Sequence, residues 1–177
     1  MYYGYLPFYP YYNNLLMYNP HLYPMPNWGQ PPSNYPYNWN PYLELRDYGP
    51  EPYVVNIERA TLQNNTFRTA LWTGKYLQLT LMSINVGEDI GLEMHPDVDQ
   101  FIRIEQGQGI VLMGDCKDRV NFKQMVSDDF AIFIPAGKWH NVINTGNTPL
   151  KLYSIYAPPE HPHGTVHKTK QDAEHHH

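Results

Sequence analysis

The sequence predicts an all-β chain, a sandwich or jelly roll of about eight short strands, carrying a non-globular arm at its N-terminus. Three observations carry this expectation. Beyond Val54, short apolar runs alternate with polar residues at the period of a strand. Glycine, asparagine, aspartate and proline clusters separate those runs at even spacing, with hardly any helical pattern between them. Finally, all 12 Lys plus Arg and all 17 Asp plus Glu lie between Glu44 and Glu174, so the first 42 residues are a different material.

That arm, residues 1–42, interleaves eleven tyrosines, Tyr2 to Tyr42, with nine prolines and seven asparagines. Proline at this density removes backbone donors and favours extended segments and turns, so the arm cannot close a hydrogen-bond ladder of its own. Tyrosine adds a large apolar face and a hydroxyl, which suits half-wet contact surfaces. The expected role is self-association: an extended strip linking copies of the chain into a homo-oligomer, layer or fibre. Residues 43–160 form the expected barrel, and residues 161–177 a His-containing extension with His161, His163 and His167. The closing His175 to His177 are left out of the functional reading.

A net charge of -5 argues against a nucleic-acid partner, and no apolar run reaches the length of a membrane span. Met1 to Pro10 has no basic segment, and Pro7 and Pro10 interrupt any apolar stretch, so no signal peptide and cytoplasmic synthesis are expected. The single cysteine, Cys116, excludes an internal disulfide; it reads as a small strand residue or as a link between subunits.

Within the barrel region, Asn56 is placed to cap a short helix over Ile57 to Gln63, with Asn64-Asn65 ending it. Leu77, Leu79 and Leu81 then alternate with Gln78 and Thr80 until Gly87 and Gly91 mark a break. Further strands are expected at Gln100 to Glu105, Ile110 to Met113, Val120 to Met125, Phe130 to Ile134, His140 to Asn144 and Leu150 to Tyr156. If Leu92 to His95 is extended, Glu93 and His95 leave the same face, and the turn at Asp97-Val98-Asp99 brings Gln100 back beside them. Ile102 and Ile104 continue that inward face, and the turn at Pro135-Ala136-Gly137 delivers His140.

These segments resemble the two motifs of the cupin superfamily. Gly87, Glu93-Met94-His95, Gln100 and Gly107 fall on the glycine, His-x-His, Glu and glycine positions of the first motif. Pro135, Gly137, His140 and Asn144 match the second, although Asp129 stands at its leading glycine. The resemblance implies a cupin jelly-roll β-barrel and puts the metal ligands at Glu93, His95, Gln100 and His140. Two of these differ from the family pattern, Glu93 replacing a His and Gln100 a Glu, but one carboxylate and two imidazoles remain. Such a set suits a divalent ion, with iron, manganese, nickel and zinc all open. It is similar to the zinc-holding residue types of type I phosphomannose isomerases, a related cupin group. Asp99 is an alternative third-position ligand, but its spacing to Gly107 fits less well.

The arm ranks a structural, self-assembling cupin first, with a spore coat or appendage as the setting where tyrosine-rich chains are common. A metal-dependent enzyme resembling sugar isomerases or dioxygenases is the alternative, and a non-catalytic small-molecule-binding cupin a third reading. For catalysis, Tyr153, Tyr156, Arg103 and Lys138 are candidates by residue type only.

Overall fold

In the computed structural model, which describes residues 42–174, the alternating runs become strands of two antiparallel sheets. Apart from Tyr42, the arm lies outside the described residues, as do His175 to His177. The larger sheet contains β1 (Arg68–Thr73), β2 (Gln78–Ile84), β3 (Asp99–Gln106), β6 (Ala131–Ile134), β8 (Leu150–Ala157) and β9 (Val166–His167). Their order across it is β6-β3-β8-β2-β1-β9. The smaller sheet, ordered β5-β4-β7, is built from β4 (Gln108–Gly114), β5 (Phe122–Ser127) and β7 (Trp139–Asn144).

The period-2 alternation turns one face of each strand inward. On β3, Gln100, Ile102 and Ile104 are buried while the residues between them are half-buried. On β8, Leu152, Ser154 and Tyr156 do the same. Met82, Ile84, Ile102, Ile104, Val111 and Val142 are among the side chains that fill the space between the sheets. Full burial of such a side chain is worth roughly 1.5 to 3 kcal/mol. A second apolar cluster covers the outside of the large sheet, where Leu71 and Leu81 meet Leu45, Tyr48 and Val55 of the entering chain and Ala60 of α1 (Ile57–Gln63). The expected cap holds, since the Asn56 side chain accepts from the Arg59 N–H at 2.9 Å.

Asp129 explains the missing motif glycine. Its φ of 69° is left-handed, a region that aspartate and asparagine tolerate better than most side chains. The position demands a backbone shape, and aspartate supplies it. Gly137, at φ 78°, makes the turn that feeds β7.

Two strands escape sequence reading. Arg68, Thr69, Ala70 and Leu71 of β1 are all buried, because core lies on one face and the second cluster on the other, so no alternation marks them. β9 follows the point where the barrel was expected to end; it pairs with β1, and Ala173 of α2 (Lys170–Glu174) joins the main core. Cys116 is exposed in the turn between β4 and β5 rather than within a strand. Among the described residues no helix is long and apolar enough to cross a membrane.

Candidate metal centre

Residues 87–95 run alongside β7 and carry half of the site. Asp89 is opposite Ile143 and Glu93 opposite His140. Glu93 and His140 exchange both backbone hydrogen bonds, at 3.0 and 2.9 Å, and Gly137 N–H donates to the His95 carbonyl at 2.7 Å. Gln100 comes from the other sheet, where it faces Tyr156 across the β3–β8 ladder. The polar cluster therefore bridges the two layers.

Glu93 Oε1 lies 3.5 Å from His95 Nε2 and 3.4 Å from His140 Nε2. One donor atom from each of these three residues falls within 4.8 Å of the others, a group that could hold a metal ion. The other nitrogen of each ring is already engaged. His95 Nδ1 stands 3.0 Å from Glu160 Oε1, and His140 Nδ1 is 2.9 Å from the Lys138 carbonyl oxygen. Acceptors at both Nδ1 atoms favour the tautomer with the proton there, which leaves each Nε2 lone pair facing inward. Gln100 is oriented similarly, its Nε2 donating to Ser154 Oγ at 2.9 Å so that Oε1 stays free.

Glu93 Oε1, His95 Nε2, Gln100 Oε1 and His140 Nε2 are buried atoms without a hydrogen-bond partner. Leaving a buried polar atom unpaired costs about 1 to 3 kcal/mol, more if charged. Those on Glu93, His95 and His140 lie close enough together to fit a divalent ion, each a Lewis base of the kind such ions take, and Gln100 Oε1 is a further open oxygen at a motif position. Asp99 is not among them: it is exposed, and its Oδ1 accepts from the Ala136 N–H.

Burial by itself would raise the Glu93 carboxyl, but the imidazoles of His140 and His95 and the charge of Arg68 outweigh it and hold it well below the carboxylate range. His95 shows the opposite balance; burial disfavours its charged form, yet Glu93 and Glu160 raise it above the ordinary imidazole value. His161 is pushed down to about 3 by burial, with the Arg68 guanidinium adding to it. Burial also raises the Tyr156 phenol.

Of the four candidates named by residue type, Tyr156 alone is near the centre, its ring 5.8 Å from that of His95. Tyr153 packs in the outer cluster, Arg103 pairs with Glu105 and Asp129, and Lys138 pairs with Asp115 at the surface. Sequence reading missed Glu160 and Arg68. Neither sits in a motif, and the turn after β8 and the β1–β2 pairing are what bring them near.

Residues 80–156 match the family model of the cupin domain. The chain is 75% identical over 131 residues to the uncharacterized protein YrkC of Bacillus subtilis (strain 168), covering 74% of this chain and 70% of that one. It is 48% identical over 115 residues to the uncharacterized protein L612 of Acanthamoeba polyphaga mimivirus, covering 64% and 70% respectively. The crystal structure of BH2720 from Bacillus halodurans is similar at 65% identity and a TM-score of 0.73, over 73% of this chain and 98% of that one. With the jelly-roll layers, the two motifs and these relatives in agreement, the chain belongs to the cupin superfamily.

Proposed function

We propose that the barrel is a metal-dependent cupin site, in which Glu93, His95, Gln100 and His140 hold one divalent ion facing a small-molecule ligand. The observation that carries this reading is the set of four buried, unpartnered donor atoms on those residues. A bound ion would supply Lewis acidity, or redox chemistry if it is iron or manganese. The chain's own part is preorganisation. Glu160 and the Lys138 carbonyl keep the Nε2 lone pairs of His95 and His140 available, and Ser154 engages the Gln100 Nε2, leaving its buried Oε1 without a partner. Tyr156, fully buried and with its phenol raised by burial, keeps its proton at neutral pH and offers an O–H donor beside His95. Stripping the full chain with a chelator and reloading it with iron, manganese, nickel or zinc should return about one tightly held ion per chain by elemental analysis. Failure to retain any of the four would end the proposal.

A second reading concerns residues 1–42, whose lack of charge and eleven tyrosines favour contact between copies. The arm would link barrels into a layer or fibre, on a spore surface or an appendage, whether or not the barrel turns over substrate. Such contacts carry no Coulomb term, while barrels sharing the net charge of -5 repel each other. Electron microscopy should therefore show assemblies that persist or grow between about 0.01 and 0.15 M salt, as screening shortens from about 30 to about 8 Å. They should be absent from a chain lacking residues 1–42. Assemblies that dissolve in moderate salt, or that survive the truncation, would rule out the arm as connector.

A further inference from the structure

Arg68 is a buried cation that the metal centre does not use. It is 2% exposed, on β1, and its Nε has no hydrogen-bond partner. Among the described residues no carboxylate lies within 4.0 Å of its guanidinium; Glu93 compensates it only from farther off, and the Phe67 ring lies 5.6 Å from its Cζ. A charge in that position costs several kcal/mol unless something pairs with it. The side chain lines a cavity of about 310 Å³ shared with Phe67, Ile90, Leu92 and Glu93, with Lys170 and the exposed Glu174 at the rim. Lys170 is taken, since it pairs with Asp89. Arg68 is also within electrostatic reach of Tyr156 and His161, neither of which lines the cavity.

From this geometry we infer that the cavity beside the candidate metal centre receives a small carboxylate ligand whose charge is bound by Arg68. The inference rests on the proposed metal site for its charge balance. Counting the groups at the candidate centre and in the cavity wall, with Lys170 paired to Asp89 and Glu174 exposed to solvent at the rim, one divalent ion and Arg68 against Glu93 and Glu160 leave a single excess positive charge. A monocarboxylate neutralises it, whereas a phosphate dianion would leave a buried negative charge, and a neutral molecule would leave Arg68 unpaired. Guanidinium and carboxylate also match as a planar, two-bonded pair. The apolar walls from Phe67, Ile90 and Leu92 suit a short hydrocarbon tail.

The test is calorimetric titration of the full chain, loaded with manganese and also metal-free, with pyruvate, its neutral isostere pyruvamide, and inorganic phosphate. Pyruvate should bind the loaded chain more tightly than either of the others, and the metal-free chain more weakly but still detectably. Arg68→Met should weaken pyruvate by about 30-fold or more in both forms, and Arg68→Lys should restore part of it. Arg68→Lys provides the second reading if Arg68→Met folds poorly, as judged by its thermal transition: its pyruvate affinity should fall below that of the unaltered chain, because an ammonium cannot make the two-bonded pair. Phosphate or pyruvamide binding as tightly as pyruvate would overturn the assignment, as would pyruvate binding indifferent to both Arg68 variants. A chain that retains no metal yet binds pyruvate through Arg68 would defeat the metal reading and the charge balance drawn from it, and would leave only the Arg68 contact standing.

Discussion

Two regions of the barrel interior bury polar side chains to similar depth and treat them in opposite ways. At the end of β7 and the start of β2, Asn144 and Gln78 have their side-chain groups engaged. Asn144 donates from Nδ2 to the Ile84 and Thr148 carbonyls at 2.9 and 2.8 Å and accepts from the Gly146 N–H at 2.9 Å. Gln78 donates to Thr73 Oγ1 and the His161 carbonyl and accepts from the His161 N–H. At the candidate metal centre and Arg68, by contrast, buried atoms are left open. In these two regions depth does not separate the groups that tie the fold together from those at the candidate site; the completeness of their partners does.

The largest break in this comparison comes from exchanging the two losses. His140→Gln should lower metal affinity by more than about 100-fold, because even an outer partner of a metal ligand is worth about 10- to 100-fold. Its metal-free thermal midpoint should move by only a few degrees, roughly the effect of 1 kcal/mol in a domain of this size. Asn144→Ala should do the reverse, costing about 3 kcal/mol in denaturant unfolding while the folded fraction still takes metal, since it orphans backbone groups of two loops. Equal effects of both variants on both measurements would remove the distinction.

A smaller effect sharpens the boundary of the open region. Glu160 reaches His95 from the turn after β8 and touches no other candidate ligand. Glu160→Ala should weaken metal about tenfold by direct titration, with little change in unfolding free energy. No change in affinity would mean that the His95 tautomer is set elsewhere.

The mildest expectation concerns pH and the metal-free chain. Glu93 is held below its usual value of 4.5, so its ionised form adds stability above that pH, lost as pH falls through the lowered value. His95 is raised above 6.5, so its protonated form adds stability below 6.5 that is lost as pH rises through the raised value. The metal-free centre should therefore be firmest between 4.5 and 6.5. Loading a metal should reverse the upper limb, since coordination needs neutral imidazoles and gains as protons leave. Thermal midpoints of both forms across that range would show the crossing, and parallel profiles would mean that these residues do not hold the ion.

Much of this was open to reading from residue order. A strand with one face in the core and one half-exposed declares itself by alternation, as β3 does, while β7 and β8, which alternate less cleanly, were bounded by the turn residues around them. The helix was placed end to end because its cap is local chemistry between Asn56 and Arg59. The four motif residues were placed by the resemblance to the cupin motifs, while the turn and the period-2 strand set Glu93, His95 and Gln100 side by side. β1 was not found, because burial on both faces erases alternation, and a two-residue strand such as β9 has too few residues to show any.

Sequence by itself thus determined the β class, the helix, the uncharged character of residues 1–42, and which residue types stand at the motif positions. Only the tertiary structure decided which of those atoms lack partners, because satisfaction depends on neighbours far away in the chain. Glu160 is 65 positions from His95 and Ser154 is 54 from Gln100, yet each fixes the direction in which its partner's open atom points. Arg68 became a candidate for the same reason: a buried arginine is unremarkable in sequence, and its missing counter-charge is a property of the packed barrel alone.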